Sequence, residues 1–301
     1  MLLRPGTTID EAIRLIEDIR QGGLNDVSNM VPGLGAVSFE QLATPAILAY
    51  ERWTASAQKQ LRTTFRDGPV IERLRGGKYW IIVGSPIVSP RAISMLNMEL
   101  AELRAFFDEI ANQLRLIKGK FSPTSRLVLD TNDLLHYYRL DNIPWTTIYG
   151  KGAHIMLPHV VIDEIDSKSY NAGPSIQRRA RGVYRMLENL LESVDSNGQV
   201  TLKDGTLFEI LVGDPEEPRL PNNDDEIVAR TVALQQAIYP GVATIVTRDI
   251  GMRTRALAQR LKVSKLPDKY LIQEDNLSAS AMDLALTTIS FPESGRSGEV
   301  A

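Results

Sequence analysis

The sequence predicts an α/β fold, a parallel sheet flanked by helices, preceded by a mainly helical N-terminal domain that carries a β-hairpin. Three observations lead there. From Arg126 onward, short apolar runs alternate with helical stretches, the pattern of strands joined by crossover helices. Before it, Ile93, Leu96, Leu100, Leu103, Phe107, Ile110, Leu114 and Ile117 alternate steps of three and four, so residues 90–118 read as one long heptad-patterned helix. Lastly, the apolar run Leu127-Val-Leu129 ends in Asp130, and the carboxyl ends of parallel strands are where open α/β sheets bind ligands.

The chain has 301 residues, 43% of them apolar, enough for one large domain or two of ordinary size. Its 34 Lys and Arg against 37 Asp and Glu give a net charge of −3, which excludes a bulk basic field; any nucleic-acid binding must come from local patches. There is no cysteine, so disulfides and thiolate metal sites are excluded, and a cytoplasmic location is expected. The first residues enter an amphipathic helix with no signal-peptide pattern. No apolar run reaches the roughly 18 residues of a membrane span, so no membrane partner is expected.

In the first 120 residues, Thr8 and Glu11 form a capping box ahead of Ile9, Ile13 and Ile16, and this helix is expected to end near Gly22-Gly23. Asn25 to Val37 reads as loop. Its Gly33-Leu-Gly35 lacks the third glycine and the preceding strand of a dinucleotide fingerprint. A second helix is expected from Thr44-Pro45, with Ala46, Tyr50, Trp53, Ala57 and Leu61 on one face. Val70 to Leu74 and Tyr79 to Val83, joined through Arg75-Gly-Gly-Lys78, read as the hairpin, its tip carrying Arg73, Arg75 and Lys78 in solvent. Ser89-Pro90 opens the long helix, whose seam must bury against another helix of the chain or a second copy in a homodimer. Gly119-Lys-Phe-Ser-Pro123 closes it, giving domains over 1–120 and 121–275 and a tail over 276–301, flexible at its end.

In the second domain, a helix is expected at Asp133–Tyr138 and a loop around Pro144 and Trp145. A strand follows at His154–Leu157, closed by Pro158, then a helix from Val160 that places Glu164 a turn inside. Pro174 starts a helix bearing Arg178, Arg179, Arg181 and Arg185, and Thr201 to Val212, broken at Asp204-Gly205, reads as a hairpin insertion. Pro221-Asn-Asn-Asp224-Asp225-Glu226 caps a further helix. Ala243 to Val246 is a strand ending in Thr247-Arg248-Asp249, and the helix after it bears Arg253, Arg255 and Arg260. Asp130 alone would pass for a helix N-cap. Its company is Glu164 with Asp163 and Asp166, Asp224 with Asp225, and Asp249, each at a strand end or helix start, and together they read as a site.

These pieces, Leu-Asp130-Thr-Asn132, Pro158-His-Val-Val-Ile-Asp-Glu164, Asn-Asn-Asp224-Asp225-Glu-Ile-Val and Val-Thr247-Arg-Asp249, resemble the PIN domain family in order and in context. The likeness runs from about 126 to 270 and says nothing of residues 1–120. It implies a PIN-like sheet and a nuclease dependent on Mg²⁺ or Mn²⁺. Asp130, Glu164 and Asp249 would form the main cage, Asp224, favoured over Asp225, would complete a second site with it, Asn132 would support the shell, and Thr247 would orient water or a phosphate oxygen. The chemistry agrees: clustered carboxylates repel one another without a cation, and hard oxygen ligands suit Mg²⁺ and Mn²⁺. Arg178, Arg179, Arg248, Arg253 and Arg255 are candidate phosphate contacts. His136, His154 and His159 lack metal-ligand spacing.

The resulting expectation is an endoribonuclease acting on single-stranded or loop RNA. The alternatives are a catalytically silent scaffold that binds RNA or a partner protein, and a DNA-acting, toxin-like nuclease with an antitoxin or regulatory partner. A haloacid-dehalogenase-like phosphatase is disfavoured, since Asn132 stands where its second aspartate belongs.

Overall fold

A computed structural model of the chain describes residues 3–32, 39–84, 90–213 and 218–272. In chain order the helical segment holds α1 (Ile9–Asp18), a π-helical stretch over Ile19–Leu24, α2 (Asn25–Met30), α3 (Phe39–Thr64), α4 (Pro69–Glu72), a 3-10 turn at Arg73–Arg75, α5 (Gly77–Val83) and α6 (Pro90–Gly119). There follow β1 (Arg126–Leu129), α7 (Thr131–His136), α8 (Trp145–Tyr149), β2 (His154–Pro158), α9 (His159–Asn171) and α10 (Pro174–Leu191). The last elements are β3 (Gln199–Thr201), β4 (Leu207–Leu211), α11 (Asn223–Ile238), β5 (Ala243–Val246), α12 (Ile250–Ala258) and β6 (Lys262–Ser264). The expected α/β class holds: the strands form one mostly parallel sheet in the order β3-β4-β2-β1-β5-β6, flanked by helices.

Two compact units divide the chain, one of residues 1–127, 219–245 and 251–263, the other of 128–218, 246–250 and 264–301. In the first, the seam of α6 from Ile93 to Leu114 is fully buried, sharing a core with Ile9, Ala12 and Ile16 of α1, Tyr50, Ala57 and Leu61 of α3, and Ile82 of α5. Among the described residues the seam is thus covered by helices of the same unit. The second unit packs α9 against α10 and sets β2 parallel to β4, His154 opposite Leu207, with β3 antiparallel on the outer side.

Several local expectations are corrected. The hairpin at 70–83 is helical: Val70, Ile71, Leu74, Tyr79 and Ile82 are buried at helical spacing, while Trp80 and Ile81 stand 62% and 57% exposed. Helical packing overrides the β-propensity of that run. The charged residues there are not a solvated tip either. Arg73 grips the buried Glu99 through two hydrogen bonds of 2.5 and 3.1 Å, Lys78 pairs with Glu102, and Arg75 lies 5.5 Å from the Tyr79 ring centre.

The Thr8–Glu11 capping box is present, but Gly22-Gly23 does not stop the helix, which runs on through the π-helical stretch into α2. Gly23 is needed for close approach instead, because a Cβ there would meet the Trp53 indole at 2.2 Å. The second helix begins at Phe39 with Pro45 inside it, forfeiting one intrahelical bond while Ala43, Ala46, Ile47 and Tyr50 stay buried around the turn. Trp145 opens a short helix, not a loop, with its indole N–H donating to the Leu140 carbonyl at 2.8 Å. The hairpin expected at 201–212 is present as β3 antiparallel to β4, and β4 extends the sheet beside β2. Gly33-Leu-Gly35, the Ser89 cap and the tail 276–301 lie outside the described residues.

Candidate functional site

Strand β1 is short and wholly buried, and it delivers Asp130 at its carboxyl end, 3% exposed. The modest reading of Asp130 is correct as far as it goes: it is the N-cap of α7, which begins at Thr131 and not at Asp133, and its Oδ1 accepts from the Asp133 backbone N–H at 2.8 Å. A cap needs no more. Yet Oδ2 also accepts a hydrogen bond from the hydroxyl of Thr247, itself buried after β5, and Thr247 Oγ1 accepts from the Asp249 N–H at 3.0 Å. Burial pushes the Asp130 carboxyl up to about 6, against the pull of the Thr247 hydroxyl and the Asp133 and Asn132 amides, and the Asp249 charge adds to the rise.

Beside it stands Asp133, also 3% exposed, with neither carboxylate oxygen in hydrogen-bond geometry with a donor among the described residues. Burial, and next the Asp130 charge, hold it well above the usual carboxylate range; the Asp130 peptide and the Arg248 charge oppose this weakly. Asn132, Asp133, His136, Tyr137, Arg248, Asp249 and Leu271 line one open cleft of about 440 Å³.

Glu164 sits one turn inside α9, as expected, and is tied from two sides. The Thr131 hydroxyl donates to its Oε2 at 2.7 Å, and Lys168, one turn on, lies 2.9 Å from Oε1. Thr131, the residue after Asp130, thus ties Glu164 to the start of α7. In the other unit, Arg255 spans both acids at the start of α11, 2.5 Å from Asp224 Oδ2 and 3.3 Å from Asp225 Oδ1. Glu226, buried, pairs with Arg230 at 2.7 Å and caps the Leu220 N–H. Asp163 faces His159 at 3.5 Å on the exposed side of α9, and Asp166 is exposed.

The arginines separate by environment. Arg178 is exposed on α10, but Arg179 is only 7% exposed and turns inward, 3.5 Å from the Leu135 carbonyl and 3.4 Å from His136 Nδ1. It docks α10 on α7, so it is withdrawn from the basic face on which the sequence placed it. Arg248 is exposed beside the cleft, 3.3 Å from Asp268, and Arg253 is exposed on α12, while Arg255 is taken up by Asp224 and Asp225. His154 is buried 3.2 Å from Glu209 and His159 is at the surface, structural places for both.

The structure therefore brings Asp130, Asp133, Thr247 and Asp249 into one neighbourhood, with Glu164 joined to it through Thr131. Among the described residues, no three acidic or histidine side chains stand close enough together to hold one metal ion. The donor set still suits a hard divalent cation: all-oxygen, acidic, and including a buried carboxylate without a donor. Asp133, Thr131 and Lys168 escaped the sequence reading. Lys168 was legible as an i, i+4 partner of Glu164, whereas Asp133 carried no signal beyond that of a polar residue at a helix start.

No curated protein matches the chain. A family model described as PIN domain matches residues 127–266, the span from the second residue of β1 to just past β6. Proteins of that family are generally nucleases. The segment 127–266 of this chain is a PIN domain.

Proposed function

We propose that the protein is a divalent-cation-dependent endoribonuclease that hydrolyses phosphodiester bonds of single-stranded or loop RNA. The observation that carries this is Asp130: a carboxylate 3% exposed at a strand end, fixed on both oxygens by Thr247 and the Asp133 amide, opening beside a cleft that also holds Asp249 and Arg248. Its burial is unfavourable for a charge unless a cation or a proton compensates it. Asp130, Glu164 and Asp249 would hold Mg²⁺ or Mn²⁺, which when bound neutralises phosphate charge and lowers the pKa of a water nucleophile.

The chain's own residues do the rest. Thr247 holds Asp130 and the Asp249 backbone in register, Thr131 orients Glu164, and Arg248 offers positive charge to a phosphate at the cleft mouth. The products would be 5′-phosphate and 3′-hydroxyl ends. The part of Asp224 and Asp225 in this reaction rests on the sequence pattern alone.

Asp130→Asn is expected to abolish Mn²⁺-dependent cleavage of a single-stranded RNA while leaving the circular dichroism unchanged. Full cleavage by that variant sinks the assignment. One set of observations favours a second reading, a silent scaffold that binds RNA or a partner protein: Lys168 already occupies Glu164, and Arg255 occupies Asp224 and Asp225. RNA binding by the wild type without cleavage at any Mn²⁺ concentration would decide for it.

A further inference from the structure

Asp133 is an expensive residue for its position. It is the third residue of α7, between Asn132 and the buried Leu134 and Leu135, and its carboxylate is buried with no hydrogen-bond donor on either oxygen. The ordinary use of an acid there is a capping box, in which the side chain reaches back to the N–H of the cap residue. The Thr8–Glu11 pair supplies such a box for comparison. In α1, Glu11 Oε2 accepts from the Thr8 N–H at 2.8 Å in solvent. The Asp133 carboxylate feels the pull of the Asp130 N–H but falls short of hydrogen-bond geometry with it, and it is buried where Glu11 is exposed. Nor is it an internal ion pair, since among the described residues no salt bridge within 4 Å reaches it and Arg248, whose charge it feels, is 3.3 Å from Asp268. A core role would be served better by an apolar side chain of the same size.

What Asp133 does have is place. Its backbone N–H holds Asp130 Oδ1, so the two residues share one turn, and its side chain lines the cleft with Asn132, Arg248 and Asp249. A buried carboxylate that lacks a donor and faces an acidic cleft is matched by a cation. We propose that Asp133 is a further ligand for the divalent cation, direct or through one bound water, adding a carboxylate to the Asp130 side of the site. The inference rests on the metal-dependent reading above.

The test is isothermal titration of Mn²⁺ into the full-length metal-free wild type and the variants Asp133→Asn, Asp133→Ser and Asp130→Asn, with circular dichroism as the folding control. The inference expects Asp133→Asn and Asp133→Ser to fold, to be at least as heat-stable as the wild type without metal, and to bind Mn²⁺ at least fivefold more weakly. A smaller change in affinity overturns it while leaving the metal-dependent reading intact, provided that Asp130→Asn loses binding. Failure of both Asp133 variants to fold assigns the residue to the core and overturns it too. Absence of Mn²⁺ binding by the wild type overturns this inference and the metal-dependent reading together.

Discussion

Asp130→Asn should gain stability on the metal-free wild type as the pH rises from 4 to 8, even as it removes activity. Burial raises the Asp130 carboxyl from its ordinary 3.8 to about 6 in the folded chain. At about 1.4 kcal/mol per pH unit, that difference sets ~3 kcal/mol against folding once the group is ionised. The sign follows from proton uptake. Below pH 4 the carboxyl is protonated in both states and contributes nothing. Between pH 4 and 6 the unfolded chain gives up its proton first, so stability falls as pH rises, and above 6 the whole penalty stands. A neutral amide escapes that charge penalty but sets an NH2 group where one accepting oxygen stood, so the pH dependence carries the reasoning: the stability of the variant relative to the wild type should rise by up to about 3 kcal/mol from pH 4 to pH 8. The assay is hydrogen exchange of the β1 and α7 amides in EDTA, which reports on the elements that hold Asp130. Saturating Mn²⁺ should cancel or reverse the gain, because a ligand of the folded wild type stabilises it alone. A stability difference that stays flat between pH 4 and pH 8 without metal would refute the reasoning, for it would mean that the ionised carboxylate is at home in its site.

Two predictions concern the helical segment. Gly23→Ala places a methyl group 2.2 Å from the Trp53 indole and should cost about 1–3 kcal/mol, read in a urea melt as a lower midpoint with a shifted Trp53 fluorescence. Glu99→Ala leaves Arg73 without its two-pronged partner in a buried setting and should cost about 3 kcal/mol, measured in the same way, whereas Glu102→Ala, at an exposed pair, should move the midpoint far less.

The PIN segment was legible because β1, β2 and β5 are short, wholly buried runs and side-chain caps open α7 and α11; Asp130, Glu164 and Asp249 stand at the expected junctions. The helical segment was harder for a physical reason. Val70 to Val83 is rich in β-branched and aromatic residues with two glycines, and only the tertiary fit of Ile71, Leu74, Tyr79 and Ile82 against the core makes it helical. Gly23 misled in the same way, since a glycine that admits a neighbouring ring is spelled like one that ends a helix. At the site, residue types were readable and their commitments were not. Nothing local says that Arg179 turns inward, that Arg255 bridges Asp224 and Asp225, or that Asp133 is buried.

The Thr247 hydroxyl has a single proton and must choose where to send it. The Asp249 N–H can only donate, so that contact takes up an oxygen lone pair and leaves the proton for Asp130 Oδ2. The Asp133 N–H likewise can only donate, and it occupies Oδ1. Both contacts therefore demand acceptors from Asp130, and the polarity of the whole chain, from Asp249 through Thr247 to Asp130, runs one way. An incoming proton or cation must use the lone pairs that these two donors leave, so the direction from which Asp130 can be approached is set before any substrate arrives. Thr247→Ser keeps that arrow, and Thr247→Val erases it without changing the side chain's outline.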